Sequence, residues 1–416
     1  MKTCYITGPT NLSGEVKISG SKNAALPILL ISILSEELIE LHNVPILQDT
    51  KNAIKILTKL GAKITIKKEI YLDLNKTKNC TIPNCITKKI RASILILGPL
   101  LTKFGYARIS FPGGCKIGNR KIDLHIFGLT QLGAKISIRN NYITGSVIGK
   151  LKGTNITLSQ TSVGATITIM SAASLAIGTT IIFNAAREPE IIDVANFLNT
   201  IGANITGAGS KKIVIKGVNK LHGGIHKIIP DRIETGTFLI AAAISKGNIV
   251  CYDTKPDMLT YVLKKLIQTG AKIKTGNDWI SLNMTNVIPK AIDIKTSPYP
   301  GFPTDMQAQF TLLNLISKGI SKITETIFEN RFIHIPELKK MGAIAIIKNN
   351  SVLCYGVKKL TSAKTTALDL RGSASLILAG CIANGNTIVK NSNFIGRGYE
   401  NFYKKLKTLG AKIKNK

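Results

Sequence analysis

One motif recurs six times along the chain at a nearly constant interval. It is a Gly-Ala pair that ends one predicted helix and leads into a predicted strand, and successive glycines lie 72, 69, 68, 72 and 68 residues apart. They are Gly61, Gly133, Gly202, Gly270, Gly342 and Gly410. Glycine suits the left-handed residue that closes a helix. The motif therefore predicts six similar supersecondary units, each longer than a solenoid repeat.

Each copy contains a second helix before the one that ends at the glycine. In the later copies this earlier helix also ends near a glycine, as at Gly105, Gly178, Gly247, Gly319 and Gly385, whereas in the first copy it ends at Ser35. Short strands are predicted between the two helices, as at 107–111, 179–183 and 248–252, and a hairpin follows, as at 63–67 and 70–74. The unit reads βαβαββ, which predicts an α/β fold.

Charge and cysteine content limit the functional classes. The net charge is +33, but 47 of the 56 basic residues are scattered lysines, and no basic block is longer than two residues, which argues against nucleic-acid binding. Seven cysteines without a CxxC pair suggest a reducing compartment and no disulfide framework. No signal or membrane-spanning run is visible, so we expect a cytoplasmic protein with no membrane association. Nothing in the sequence requires a metal or another cofactor.

Charged residues stand where the predicted helices begin. Basic examples are Lys22, Arg91, Arg120, Arg371 and Arg397, and these are unfavourable at a helix N-terminus unless an anion lies there. Arg331 also stands near a predicted helix start, and it is notable because arginine is scarce in this chain. Carboxylates at equivalent points, which could act as bases, are Glu188, Asp231 and Asp305. Ordinary capping is the alternative for any single helix.

The segment FPGGCKIGNR, residues 111–120, carries a thiol in a glycine-rich loop. Cys115 lies beside Lys116 and near Arg120, and positive charge lowers a thiol pKa and raises its reactivity. We therefore interpret Cys115 as functional, and Cys251, Cys354 and Cys381 as small core residues.

Ten segments of the sequence resemble those of the UDP-N-acetylglucosamine enolpyruvyl transferases, of the 5-enolpyruvylshikimate-3-phosphate (EPSP) synthase superfamily. The segments that carry the resemblance are GSKNAALPILL (20–30), RAS (91–93), PGGCKIGNRKIDLH (112–125), TSVGATITIM (161–170), REPEIID (187–193), PDRIETGTF (230–238), FPTDMQAQF (302–310), TETIFENRF (324–332), DLRGSASL (369–376) and GRGYE (396–400).

The resemblance implies a two-domain inside-out α/β barrel with three βαβαββ units in each domain. Residues 21–229 would form one domain, and residues 1–20 with 230–416 the other. The active site would lie in the cleft between them. The implied reaction moves the enolpyruvyl group of phosphoenolpyruvate to UDP-N-acetylglucosamine, the first committed step of peptidoglycan synthesis.

The resemblance also implies a role for each matching residue. Cys115 would be the general acid and Asp305 the base at the sugar hydroxyl. Phosphoenolpyruvate would be bound by Lys22, Asn23, Arg120 and Arg397. The UDP-sugar would contact Arg91, Arg120, Lys121, Ile122, Asp123, Leu124, Gln160, Thr161, Ser162, Val163, Gly164, Asp305 and Ile327. Supporting residues would be Asp231, Glu188, Arg331, Asp369 and Arg371.

One residue departs from the family pattern, because Gly396 stands where an acid usually precedes Arg397. Two alternatives stay open: an EPSP synthase-like transferase that acts on shikimate-3-phosphate, and a non-catalytic basic binding protein. The sequence leaves the oligomeric state open, with a monomer as one option.

Overall fold

The structure is a computed structural model that describes residues 2–88, 90–113 and 122–415. Its strands are β1 (Thr3–Gly8), β2 (Ser13–Lys17), β3 (Ile39–His42), β4 (Lys63–Ile66), β5 (Ile70–Asp73), β6 (Thr81–Ile82), β7 (Tyr106–Ser110), β8 (Lys135–Arg139), β9 (Tyr142–Ser146), β10 (Asn155–Thr157), β11 (Thr179–Phe183), β12 (Asn204–Thr206), β13 (Lys212–Lys216), β14 (Gly224–Lys227), β15 (Asn248–Tyr252), β16 (Lys272–Thr275), β17 (Trp279–Asn283), β18 (Ile294–Lys295), β19 (Ile320–Thr324), β20 (Ile344–Lys348), β21 (Ser351–Tyr355), β22 (Lys364–Thr366), β23 (Gly385–Lys390) and β24 (Lys412–Asn415).

The helices alternate with these strands, as the repeat predicts. They are α1 (Lys22–Ile31), α2 (Gln48–Lys59), α3 (Asn84–Thr87), α4 (Leu97–Phe104), α5 (Asp123–Gln131), α6 (Val163–Ala173), α7 (Pro189–Thr200), α8 (Arg232–Ser245), α9 (Thr260–Gln268), α10 (Gln307–Leu315), α11 (Ile335–Lys339), α12 (Leu370–Ile382) and α13 (Phe402–Thr408). Short 3₁₀ helices cover Ser32–Leu34, Arg91–Ile96, Pro256–Leu259, Thr304–Met306 and Ser392–Arg397. None of the helices in the described part of the chain is long and apolar enough to cross a membrane.

The described strands form six four-stranded sheets that share one topology. In each sheet the first strand of the repeat pairs in parallel with the second, and the fourth lies antiparallel between the second and the third, as in β10-β11-β13-β12. The α/β fold with six βαβαββ repeats is therefore confirmed. Three sheets receive a strand from a distant part of the chain: β14 begins the sheet of β3, β2 begins that of β15, and β1 completes that of β22 and β23.

The chain divides into two compact units. One contains residues 2–19 and 230–415, and the other contains residues 20–113 and 122–229. In the first unit, α8, α10 and α12 contact one another, and α8 and α10 are buried at every residue. Helices that are buried on every side lie inside the core, so the sheets lie outside them.

The six repeat glycines adopt the predicted conformation, with φ between +85° and +104°. The requirement is most severe at Gly61, where a Cβ atom would lie 2.7 Å from the carbonyl oxygen of Lys76. A side chain there would be strained in its backbone and would also clash. Between the two helices, the strands at 179–183 and 248–252 have the predicted bounds, and β7 begins and ends one residue earlier than predicted. In the fourth repeat, Lys246 rather than Gly247 is the left-handed residue.

Candidate active site

Asp305 receives hydrogen bonds from two arginines within the first unit. It lies in the 3₁₀ helix Thr304–Met306, which leads directly into α10. Arg331 Nη2 donates to Oδ1 at 2.7 Å, and Arg371 Nη2 donates to Oδ2 at 2.9 Å. The side chain of Asp305 is 28% exposed, while those of the arginines are only 4% and 3% exposed. Charge-assisted hydrogen bonds of this kind are short and strong, so the carboxylate is held in a fixed orientation while it remains partly exposed.

Neighbouring side chains fix Arg371. The guanidinium of Arg371 lies 5.1 Å from the ring centroid of Tyr399, whose hydroxyl is hydrogen-bonded to Thr237 at 3.0 Å and receives a hydrogen bond from Gln309 at 3.1 Å. Burial lowers the pKa of Arg371, but the combined influence of Tyr399, Asp305 and Asp231 keeps that pKa above its ordinary value. The guanidinium therefore remains a cation despite its burial.

Asp369 and Asp231 act as helix caps. Asp369 accepts hydrogen bonds from the backbone N–H groups of Arg371 and Gly372, both at 3.1 Å. Asp231 accepts from Ile233 and Glu234 at 2.8 Å and 3.0 Å. These bonds satisfy the first amides of α12 and α8. The capping alternative raised by the sequence thus accounts for a large part of what these two carboxylates do, and the Asp369 cap sets the position of Arg371.

In the second unit, the starts of three helical segments come together. Arg91 begins a 3₁₀ helix, His125 lies in the first turn of α5, and Ser162 caps α6 by accepting from Ala165 N–H at 3.3 Å. A Cβ atom at Gly164 would lie 2.8 Å from His125 Cε1. Burial and then the charge of Arg91 lower the pKa of His125 to about 3. The His125 ring is therefore neutral and packs tightly beneath Gly164.

Other predicted contact residues border these segments. Lys22 and Asn23 open α1 and are half-buried, as are Thr161, Val163 and Leu124. Asp123 and Gln160 are exposed, whereas Ile122 is buried. Glu188 stands at the N-cap of α7, and Thr161 donates to Asn184 Oδ1 at 3.2 Å. In the first unit Ile327 is 36% exposed.

Three predicted site residues, Cys115, Arg120 and Lys121, lie outside the described residues. Four of the other cysteines, Cys4, Cys251, Cys354 and Cys381, are buried. Burial raises the pKa of each of these thiols, to about 12 for Cys4 and Cys354. They are therefore protonated core residues, which agrees with the interpretation of Cys251, Cys354 and Cys381 from the sequence.

Two arginines differ in position from the sequence-based prediction. Arg397 is the last residue of the 3₁₀ helix Ser392–Arg397 and precedes α13 by several residues, so it does not open a helix. Arg331 likewise lies ahead of α11. The sequence predicts a helix start near each of these arginines. In the structure, each arginine lies in the connection that follows the second strand of its repeat. Glu325 and His125 were not singled out, although both lie in quoted motifs.

Comparison with known proteins agrees with this fold and shows the family. Residues 6–406 match the family model EPSP synthase (3-phosphoshikimate 1-carboxyvinyltransferase). The chain is 67% identical over 416 residues to a UDP-N-acetylglucosamine 1-carboxyvinyltransferase of Buchnera aphidicola subsp. Baizongia pistaciae, with both chains covered completely. It is 59% identical to the enzyme of that name from Wigglesworthia glossinidia brevipalpis, covering 100% of this chain and 99% of that protein.

Solved structures show the same fold at low identity. The enolpyruvyl transferase NikO from Streptomyces tendae has a TM-score of 0.90 at 22% identity and covers 100% of this chain and 98% of its own. EPSP synthase from Acinetobacter baumannii has a TM-score of 0.77 at 16% identity, covering 100% and 99%. The full-length identities decide between the two enzyme branches. The chain belongs to the UDP-N-acetylglucosamine 1-carboxyvinyltransferases, a branch of the EPSP synthase family.

Proposed function

We propose that the protein transfers the enolpyruvyl group of phosphoenolpyruvate to the 3′-hydroxyl of UDP-N-acetylglucosamine and releases phosphate. The observation that carries this proposal is the partly exposed Asp305 carboxylate held by two buried arginines, in a chain that matches this enzyme family over its whole length. A carboxylate fixed in this way suits a base that takes a proton from a sugar hydroxyl.

The proposed reaction is addition followed by elimination. Cys115 protonates C3 of phosphoenolpyruvate, Asp305 removes the proton of the hydroxyl, and the hydroxyl oxygen bonds to C2. The tetrahedral intermediate then loses a proton from C3, the C2–O bond to phosphate breaks, and the double bond re-forms. Lys22, Asn23, Arg120 and Arg397 bind the phosphate and carboxylate of phosphoenolpyruvate. Fixed cations aimed at two anionic groups are an efficient way to stabilise such an intermediate.

The UDP-sugar is proposed to bind at the helix starts of the second unit. Backbone N–H groups at helix N-termini, such as those of Val163 and Gly164, suit a diphosphate, and Arg91 adds a positive charge nearby. Ile327 of the first unit would contact the same ligand. Asp231, Glu188, Arg331, Asp369 and Arg371 would support these groups. The proposal needs no metal or other cofactor.

The test is phosphate release from phosphoenolpyruvate by the purified protein, with each acceptor supplied separately. We expect release with UDP-N-acetylglucosamine, together with a product whose mass equals that of the acceptor plus one enolpyruvyl group. Release with shikimate-3-phosphate instead would show the other branch of the family. Release with neither acceptor would leave a binding protein and overturn the proposal.

A further inference from the structure

The residue that follows the second strand of each repeat forms a corner in the chain. In four repeats it is Asn43, Asn184, Asp253 or Asn391, each with φ of 55° or 56°. Asparagine and aspartate tolerate this left-handed conformation better than other residues with side chains. The Asn43 and Asn184 amides donate, each at 2.9 Å, to the carbonyl oxygens of Ile228 and Leu158, just beyond the first strand. In these two repeats the corner thus ties the ends of two parallel strands together.

Two repeats depart from this pattern: the corner residue is Phe111 in the second and Glu325 in the fifth. Glu325 is the charged one of the two. The side chain is only 2% exposed and accepts four hydrogen bonds. Oε1 accepts from Thr296 Oγ1 at 2.9 Å, from Ile327 N–H at 2.8 Å and from Phe328 N–H at 3.3 Å, while Oε2 accepts from Thr304 Oγ1 at 2.9 Å. A buried carboxylate that is satisfied from four directions holds its partners in one arrangement.

Two of these hydrogen bonds hold residues next to Asp305, the proposed base, and next to its partner Arg331. Thr304 immediately precedes Asp305 in the same 3₁₀ helix, so Oε2 fixes the start of that helix. On the other side, the turn held by Oε1 places the ring of Phe328 so that its centroid lies 5.6 Å from the guanidinium of Arg331. Arg331 donates to Asp305 Oδ1. Glu325 therefore restrains both Asp305 and one of its partners.

A third hydrogen bond of Glu325 holds a residue that is proposed to contact the acceptor sugar. Glu325 Oε1 accepts the N–H of Ile327, which is proposed to contact the UDP-sugar. The positions of Asp305, the proposed base, and of Ile327, a proposed contact of the UDP-sugar, thus depend on one side chain. The two residues belong to separate segments that flank β19.

We infer that Glu325 is a positioning residue of the transferase, which sets Asp305 relative to the bound acceptor through Thr304 on one side and the 325–328 turn on the other. This inference rests on the proposed function. It explains why the corner of this repeat is a buried glutamate: an asparagine in its place would be too short to reach both segments at once.

The experiment compares steady-state kinetics and calorimetric binding of UDP-N-acetylglucosamine for three variants. Glu325→Ala should lower kcat/KM by about ten- to a hundredfold, because small displacements of a reacting group have effects of that size. It should also weaken UDP-sugar binding. Thr304→Val removes only the contact to the Asp305 segment, so kcat should fall while the dissociation constant of the UDP-sugar stays within about twofold. Glu325→Gln should restore activity to within about threefold, because its carbonyl and amide can satisfy the same partners.

Glu337→Ala is the matched control. Glu337 is also buried and joins two segments of the same unit, accepting from Lys340 Nζ at 2.7 Å and from Thr366 N–H at 2.8 Å. It lies outside the proposed site, so its loss should lower the melting temperature but leave kcat unchanged. Equal kinetic losses in the Glu337 and Glu325 alanine variants would overturn the inference. So would wild-type kinetics in Thr304→Val, or a Glu325→Gln variant as defective as Glu325→Ala. An inactive wild-type protein would instead overturn the proposed function, and this inference with it.

Discussion

At the scale of single residues, the proposed chemistry depends on unequal burial. Arg331 and Arg371 are nearly inaccessible, whereas Asp305 between them is partly exposed. A buried guanidinium is tolerated only when a carboxylate and other acceptors compensate for its lost hydration. The same pairing thus maintains two buried cations and orients a carboxylate whose exposed side can meet a ligand.

Replacement of Asp305 separates catalysis from stability. Asp305→Asn should lower kcat by about a hundredfold to ten-thousandfold, because the amide cannot take the hydroxyl proton. Asp305→Ala should lose comparable activity and also about 3–5 kcal/mol of unfolding free energy, because both buried guanidinium groups lose their partner. Phosphate-release kinetics and urea unfolding measure the two effects. An asparagine variant with more than about a tenth of wild-type kcat would exclude Asp305 as the base.

Gly396 offers a gain-of-function test at the same scale. A Cβ atom there would meet no atom of the described residues within 4 Å, so a side chain fits without rearrangement. An acid at this position should help to orient half-buried Arg397, and such a pair contributes about 0.3–1 kcal/mol. Gly396→Asp should therefore lower the KM for phosphoenolpyruvate by about two- to fivefold. Gly396→Asn is the control of equal shape, and the same decrease in that variant would show that charge is not the cause.

At the scale of elements, each repeat combines a buried helix with an amphipathic one. The first helices, such as α6 and α8, are buried on nearly all sides and fill the cores. The second helices, such as α2, expose lysines and end at the repeat glycines. Those glycines turn the chain from helix to strand at the same point of every unit, which keeps the six sheets alike.

The repeat glycines should differ in their sensitivity to substitution. Gly133→Ala should lower the free energy of unfolding by about 1–3 kcal/mol, because only backbone strain is added: φ is +100° and nothing described lies within 4 Å of the new Cβ. Gly61→Ala adds a contact of 2.7 Å with Lys76 O, so its loss should be larger. Chemical denaturation midpoints give the comparison. A milder effect at Gly61 than at Gly133 would contradict this account of the repeat corners.

The packing of α5 against α6 should be sensitive to acid. His125 is buried, with Nδ1 2.8 Å from Thr168 Oγ1, and its pKa is about 3 in the folded chain but about 6.5 when unfolded. The unfolded state therefore binds the proton first, and stability should fall as pH decreases from about 6.5 towards 3. His125→Asn should reduce that fall by about 2 kcal/mol between pH 6 and pH 4.5. Urea unfolding at both pH values measures it, and equal falls in the variant and wild type would contradict the assignment.

At the scale of the whole molecule, the chain enters the second unit after residue 19 and leaves it at residue 230. Residues 20–229 supply every strand of their three sheets, from β3 to β14. Residues 230–416 lack β1 and β2, which belong to two of the sheets in the first unit. One contiguous segment therefore contains every strand of the second unit, whereas residues 230–416 contain only some of the strands of the first unit.

This difference in strand content predicts which fragments of the chain fold on their own. Residues 20–229 alone should show cooperative thermal unfolding by circular dichroism, whereas residues 230–416 should not. Cys4 pairs with Asn415 in adjacent antiparallel strands, so a short linker from residue 416 to residue 1 can supply the missing strands. The rearranged chain 230–416–linker–1–19 should therefore unfold cooperatively. A cooperative transition in unmodified 230–416 would show that β1 and β2 are dispensable.

The sequence by itself determined the repeating framework and the types of residue at the candidate site. Glycine at a helix end and alternating apolar residues act locally, so six α/β units and strands such as β11 and β15 could be predicted from neighbouring residues. Asp305 could also be selected as a carboxylate at a predicted helix start, and Arg331 and Arg371 because arginine is scarce in this chain.

The tertiary structure decided which of these residues meet. Arg331 and Arg371 reach Asp305 from 26 and 66 residues away, and Glu325 joins segments on both sides of β19. One strand in each of three sheets likewise comes from a remote part of the chain. Such contacts depend on how helices and sheets pack, and no local pattern encodes that packing. The site is therefore a product of the fold, assembled from residue types that the repeats supply.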